Sequence, residues 1–322
     1  MNLRSTEAGI AATLGDIAKV LTQTGETQEA LKSLQKALTI VRDIKNQEGE
    51  GVILNDIGAV HLSLGQPQLA LEYFNQALSI HREISNQNQE ATTLMNIGVA
   101  YANKGQYQKA LEFLNQALSI SREISNRNQE ATTLHNIATV YEAKGQTQQA
   151  LEDLQSAFLI YKEIGNRAGE NFVLNRIGVL NSETGNFQEA LKSFTQALQG
   201  FQESGNLLGE VANLIGTAKT YSRLGQFQEA LIAYHSALTI LENTDNQLLR
   251  VATFNGLGAV YRYANQPQQA LNYYNQALSL IQKVGNPGEE STTLNNIGEI
   301  YQAINQPQKA ITEQGYFILD SR

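Results

Sequence analysis

The chain contains no cysteine and no tryptophan, and only four prolines, two methionines and four histidines in 322 residues. Without cysteine there is no disulfide framework, no thiolate nucleophile and no zinc-finger pattern. The histidines, His61, His81, His135 and His235, have no second histidine or carboxylate recurring at metal-ligand spacing, so no metal and no cofactor are expected. Basic residues are also in deficit. The chain holds 23 Lys and Arg against 31 Asp and Glu, a formal charge of −8, which argues against a nucleic-acid partner. No run of ~20 apolar residues exists to span a membrane. The opening MNLRSTEAGIAATLGD lacks the apolar core of a signal peptide. The expectation is a cytoplasmic chain with no membrane partner. No Ser-His-Asp or phosphate-loop arrangement is visible. Gly256-Leu257-Gly258 lies inside a helical pattern with no strand before it. No catalytic residue is assigned, and the chain is expected not to be an enzyme.

What the chain does have is repetition. Residues 91–130 read ATTLMNIGVAYANKGQYQKALEFLNQALSISREISNRNQE, and the 40 residues on either side are near copies. Alanine falls at 30, 70, 110, 150, 190, 230, 270 and 310. A fixed period of this length marks a solenoid or array. Within the unit, Leu94, Ile97, Gly98 and Tyr101 form one helical stripe, and Ala110, Leu111, Leu114, Ala117, Leu118 and Ile124 form a second. Each unit is therefore read as two antiparallel helices of roughly 18 residues joined by two-residue turns. The first turn carries Gly25, Gly65, Gly105, Gly145, Gly185 and Gly225, then Asn265 and Asn305, residues that tolerate a left-handed helix end. The second carries Asn46, Asn86, Asn126, Asn166, Asn206, Asn246 and Asn286, which suit N-caps. Gln89 and Gln129 are placed to complete capping boxes. Pro67, Pro267, Pro287 and Pro307 all stand at helix starts.

The motif Leu94-x-x-Ile97-Gly98-x-x-Tyr101, Gly105, Ala110, Leu114, Ala117 resembles the tetratricopeptide repeat, and it recurs in register down eight units. Two departures stand out. Leu replaces the usual Trp. Arg82, Arg122 or Lys162 replaces the proline that ends the usual 34-residue repeat, so the helix runs on. The chain is thus similar to the 40-residue variety of kinesin light chains and Leu-Gly-Asn repeat adaptors. It also resembles the repeat arrays of bacterial proteins carrying a caspase-like CHAT domain, a domain this sequence does not contain. The resemblance implies an all-α fold, an α-α superhelix of about eight hairpins. The unbroken period argues for one solenoid domain over 1–322. Its units are 11–50, 51–90, 91–130, 131–170, 171–210, 211–250, 251–290 and a partial 291–322, each touching its neighbours.

Units two to four are nearly identical, whereas five and six depart. Asn181 takes the Tyr slot, and Gly200, Ser204, Thr217 and Thr244 take Ile slots. Small or polar residues in core slots leave cavities or unpaired groups. The junction of units five and six is expected to be the softest place, against the alternative that neighbours compensate. In unit eight the second helix begins with Ala310-Ile311 and then fails at Gln314, Phe317 and Asp320. Its ending TEQGYFILDSR is a weak polar cap, as expected either of a truncated chain or of a gene fragment whose missing carboxy-terminal part held an effector domain.

Three of the histidines read as ordinary repeat residues. His61 fills a Tyr slot and should pack, while His81 and His235, on second helices, should lie at the surface. The face of each first helix opposite its core stripe is the candidate binding site. In tetratricopeptide arrays that face lines the concave groove. Here it holds Asn55, Asn96, Asn136, Asn175, Asn255, Asn295 and Asn296, with Asp16, Asp56, Asn103 and His135. Amides both donate to and accept from a peptide backbone, and the set resembles the asparagine-lined grooves of the 40-residue adaptors. The alternative is that Asn is simply common on this surface. Arg176, Lys219, Arg223 and Arg262 fall on the same face in units five to seven. They would steer an acidic peptide, unless they are ordinary solvated charges beside Glu142 and Glu183. The expected function is a scaffold holding a peptide or protein partner. The alternatives are the regulatory arm of a caspase-like effector, and an array that self-associates end to end through Phe317 and Ile318.

Overall fold

A computed structural model of the chain describes residues 3–304. The expectations placed on Asn305, Pro307, Ala310, Ile311, Gln314, Phe317, Ile318 and Asp320 lie outside the described residues. Fifteen α-helices and no strand occupy the described residues. Two compact units divide the chain, Met1–Asn166 and Arg167–Arg322.

The amino-terminal unit pairs α1 (Leu3–Gln23) with α2 (Thr27–Asp43), α3 (Gln47–Ser63) with α4 (Pro67–Glu83), α5 (Gln87–Asn103) with α6 (Tyr107–Glu123), and α7 (Arg127–Ala143) with α8 (Thr147–Glu163). The carboxy-terminal unit pairs α9 (Arg167–Glu183) with α10 (Phe187–Glu203), α11 (Leu207–Arg223) with α12 (Phe227–Leu241), and α13 (Gln247–Tyr263) with α14 (Pro267–Val284), and continues into α15 (Pro287–Ala303). Inside each unit the first helix of a hairpin lies against the first helix of the next, and a second helix reaches the next hairpin through its first helix. First helices thus form one layer and second helices another.

The helices are mostly 17 residues long, with three-residue connections where the repeat pattern suggested two. The extra residue belongs to a Schellman-type ending. Gly105 N–H donates to the Ala102 carbonyl at 2.8 Å, and Gln106 N–H donates to Tyr101 at 2.9 Å. The first-turn glycines and Asn265 have positive φ, as expected. The second turn ends the same way, but there Lys45, Ser85 and Ser125 adopt φ of 54–56° without being glycine. Asn46, Asn86, Asn126, Asn206, Asn246 and Asn286 cap the following helices through their side chains.

The capping boxes need correction. The backbone N–H of Asn86 and of Asn126 already donates to His81 and Ser121 carbonyls at 2.9 and 2.8 Å, so a returning Gln has nothing to satisfy. Gln129 instead donates to Thr92 Oγ1 at 2.7 Å in the neighbouring hairpin.

The core is set by size complementarity between the layers. Phe74 and Phe194 on second helices fill the space left by Gly58 and Gly178, where an added Cβ would lie 2.6 and 2.8 Å from the rings. In Gly256-Leu257-Gly258 a side chain at 256 would run into Tyr234, and one at 258 would lie 2.8 Å from Tyr274. That Gly-x-Gly is a double packing notch. Its cost is a Tyr274 hydroxyl that is buried without a partner, and burial pushes its pKa up to about 12.

The residues flagged in units five and six show partial compensation. Asn171 fills the space beside Gly200, but its Nδ2 is buried without a partner. Ser204 is exposed, and its hydroxyl donates to the Gly200 carbonyl at 2.9 Å, so it leaves no core cavity.

Candidate functional site

The candidate face is the outer surface of the first-helix layer. In the amino-terminal unit Asn55 is buried, and its Oδ1 accepts a hydrogen bond from Asn96 Nδ2 at 3.0 Å. Asn96 and Asn136 are half-buried. In the carboxy-terminal unit Asn175 accepts from Asn213 Nδ2 at 3.1 Å. Asn255 accepts from Thr293 Oγ1 at 3.1 Å and donates to Glu289 at 3.4 Å. Asn296 is half-buried and Asn295 exposed. The amides therefore split into two sets. Asn55, Asn175 and Asn255, one residue earlier in the repeat, tie their helix to the next first helix. Asn96, Asn136 and Asn296 sit one residue further round. Helical geometry turns successive residues by 100°, so the second set is less buried than Asn55, although Asn96 is itself the donor in the bond to Asn55.

The cations also differ from one another. Lys219 is exposed and makes no ion pair among the described residues. Arg223 Nη1 donates to the Ser182 carbonyl at 2.8 Å, in the last turn of α9. Arg262 pairs with Glu299. Arg176 is half-buried.

Two clefts open on this face between adjacent first helices, one in each unit and at equivalent positions of the repeat. The first, of about 300 Å³ between α1 and α3, is lined by Gly15, Ala18, Lys19, Leu34 and Asp56 among others. Lys19 Nζ stands 3.7 Å from Asp56 Oδ2. Burial pushes the Asp56 carboxyl up to about 6 against the pull of Lys19, and Asp16 adds to the rise. The second, of about 190 Å³ between α9 and α11, is lined by Val179, Phe194, Ile215 and Gly216, with Glu183, Lys219 and Arg223 at its edge. Sequence reasoning missed both clefts. The available signal was the small residue, Gly15 or Gly216, on a groove slot.

The histidines are divided. His61 packs as expected, stacked on Tyr73 at 5.4 Å, and His235 is exposed. His81 corrects the surface expectation: it is fully buried, with Nδ1 3.1 Å from Thr93 Oγ1. Gly51 makes the room, since a Cβ there would lie 2.5 Å from the ring's Nε2. Burial pushes the imidazole below its ordinary pKa, while Glu48 and Glu90 pull it upward. No group of three or more metal-ligating side chains occurs among the described residues, and none of their helices is long and apolar enough to cross a membrane.

Stacked helical hairpins with a cleft-bearing layer of first helices define a repeat-array class of protein. The tetratricopeptide repeat family model matches residues 9–83, 89–163, 170–243 and 244–313, and the chain belongs to that family. No curated protein sequence matches it. Among solved structures it is similar to the apo form of the quorum sensor NprR from B. thuringiensis, at 16% identity and TM-score 0.72, over 96% of this chain and 86% of that one. It is also similar to a signal transduction ATPase with a tetratricopeptide repeat sensor from Pyrococcus horikoshii, at 14% identity and TM-score 0.74, over 95% of this chain but only 45% of that one. A Podosopora anserina putative kinesin light chain repeat protein aligns at 21% identity and TM-score 0.50, over 64% of this chain and 99% of that one. These likenesses show a common fold.

Proposed function

We propose that the chain is a binding scaffold that holds a peptide segment of a protein partner along its first-helix face, with no chemistry of its own. The observation that carries this reading is a cleft between first helices in each unit, at equivalent repeat positions. A bound peptide segment needs a recess for a side chain and polar groups that both donate and accept beside it. The unbroken 40-residue period supports one array of hairpins carrying that face. The quorum sensor NprR has the same fold.

The carboxy-terminal unit supplies the charge preference. Lys219 and Arg223 share one cleft edge and favour an acidic segment, which salt should weaken. A peptide-array screen tests this. Acidic sequences should be enriched, and Arg223→Glu combined with Arg262→Glu should abolish the enrichment. A screen without acidic preference, or one blind to the double substitution, removes the charge preference.

A second reading has its own support. The P. horikoshii protein carries its tetratricopeptide repeats as the sensor of a larger ATPase, so this array could serve as a sensor arm controlling an effector, as in a caspase-like protein. A gene that encodes a catalytic domain in frame with this array would favour that reading, and a gene encoding only repeats would count against it.

A further inference from the structure

We infer that the cleft between α9 and α11 is a subsite for an aliphatic side chain of valine or leucine size with a carboxylate beside it, and that Glu183 tunes its affinity for that carboxylate. The inference rests on the peptide-binding reading of this face and specifies what one position of the peptide must be.

The cleft exists because residue 216 is glycine. A Cβ at that position would lie 2.7 Å from Cζ of Phe194, so any side chain there would close the recess or displace the ring. With glycine, Phe194, Val179, Ala212 and Ile215 make an apolar recess of about 190 Å³. That space has room for one branched aliphatic side chain. Burying such a group against this lining supplies apolar contact.

The edge supplies the polar half. Lys219 and Arg223 are four residues apart on α11, hence on one side of the helix. Arg223 is held in place by the 2.8 Å hydrogen bond from Nη1 to the Ser182 carbonyl. Ser182 is fixed in turn by Thr220, whose hydroxyl donates to its Oγ at 2.8 Å. A guanidinium has five N–H donors, so this anchor leaves others for a ligand carboxylate and lowers the ordering cost of binding it. Glu183 lines the same cleft and opposes the two cations, leaving a net single positive charge. The equivalent cleft between α1 and α3 has no spare cation of this kind, because Lys19 faces both Asp16 and Asp56 within 4 Å. Preference for a carboxylate belongs to the α9–α11 cleft alone of the pair.

The test uses the full chain and fluorescein-labelled dodecapeptides with one Leu-Glu step in a Gly/Ser/Asn background, read by fluorescence anisotropy. Leu→Ala and Glu→Gln in the peptide should each weaken binding about 5–10-fold. Lys219→Glu should erase the difference between the Glu and Gln peptides, and Glu183→Gln should tighten the Glu peptide about 2–5-fold. Lys36→Glu, the same charge change on an exposed residue of α2, should alter none of these ratios. A peptide ending in Leu with a free carboxylate distinguishes the two sources of the acid. Tighter binding than its C-terminal amide supports a chain terminus, and equal binding supports a Glu or Asp side chain. Peptide binding that ignores both Leu→Ala and Lys219→Glu overturns the subsite but leaves the face as a binding surface. Absence of binding by every peptide in this set and in the array overturns both. Lys219 is exposed and unpaired, so its substitution keeps the test sound even where Arg223 variants lose stability.

Discussion

The two units build the same second turn with different chemistry. In the amino-terminal unit the turn is bridged by ion pairs eight residues apart, Arg42 to Glu50, Arg82 to Glu90 and Arg122 to Glu130, at 2.7–2.8 Å. A ladder of amides ties each N-cap to the preceding hairpin: Asn86 donates to Glu48, Asn126 to Asn88 and Asn166 to Asn128, at 2.7–3.3 Å. In the carboxy-terminal unit neutral Gln202 and Gln282 stand in for the arginines, donating to Glu210 and Glu290 at 2.9 and 3.3 Å. The ladder positions are taken by exposed Leu208 and Leu248. Unpartnered buried atoms occur in both units, at His81 Nε2 and Gln146 Oε1 in the first and at Asn171 Nδ2 and Asn213 Oδ1 in the second. One fold therefore tolerates two levels of polar reinforcement, because the apolar interface between layers is the common requirement. The less reinforced unit is also the one whose cleft keeps an unpaired cation.

The largest effect should come from cutting that apolar interface. Phe194→Ala removes a ring that is almost fully buried between Gly178 and Gly216, and should cost about 3–5 kcal/mol. Hydrogen exchange should then accelerate across 181–220 well before it does in 51–130. In the unsubstituted chain the same segment should already exchange fastest, and uniform protection there would erase the contrast between the units.

Next in size is a charge effect in the amino-terminal unit. The folded pKa of Asp56 is about 6 against an ordinary 3.8. A raised carboxylate favours the folded state below pH ~4, and that advantage is lost as pH rises through about 6. Asp56→Asn should therefore raise stability at pH 7 by on the order of 1–3 kcal/mol and flatten the dependence between pH 4 and 7, measured by urea titration. An unchanged midpoint at pH 7 would show that Lys19 fully compensates the buried charge.

Smaller gains should follow at the second turns. Ser85→Gly and Ser125→Gly relieve a left-handed φ of 54° and 56°, and each should add about 0.5–1 kcal/mol. Gly205→Ser, at φ 64° in the carboxy-terminal unit, should lose as much. The smallest effect is an exchange of the turn bridges. Arg82→Gln should cost, and Gln202→Arg should add, about 0.2–1 kcal/mol. Both changes should shrink at high salt, and thermal melts at two ionic strengths would show whether the ion pairs account for any of the difference between units.

Much of this was legible in the chain itself. The 40-residue period, the helical stripes, the glycine and asparagine turns and the proline starts identified hairpins and their order, because each is a local property of a few neighbouring residues. The candidate face was legible as a direction on a helix, but not its division of labour. Asn55 and Asn96 look interchangeable in the pattern, yet one is buried against the next hairpin and the other is half-open. The burial of His81 depended on Gly51, thirty residues away in sequence but beside it in the hairpin. The Gly-x-Gly at 256–258 likewise took its meaning from Tyr234 and Tyr274 on two different second helices.

Sequence by itself determined the element types, the lengths of most helices to within a residue, and the family. Periodicity and turn chemistry act over a few residues and need no neighbour to be read. Tertiary structure alone decided which amides are spent on hairpin contacts, which cation stays unpaired, and where clefts open. Those outcomes depend on distances between side chains about 40 residues apart, where the removal of a single Cβ, as at Gly216, makes the difference between a closed seam and a recess.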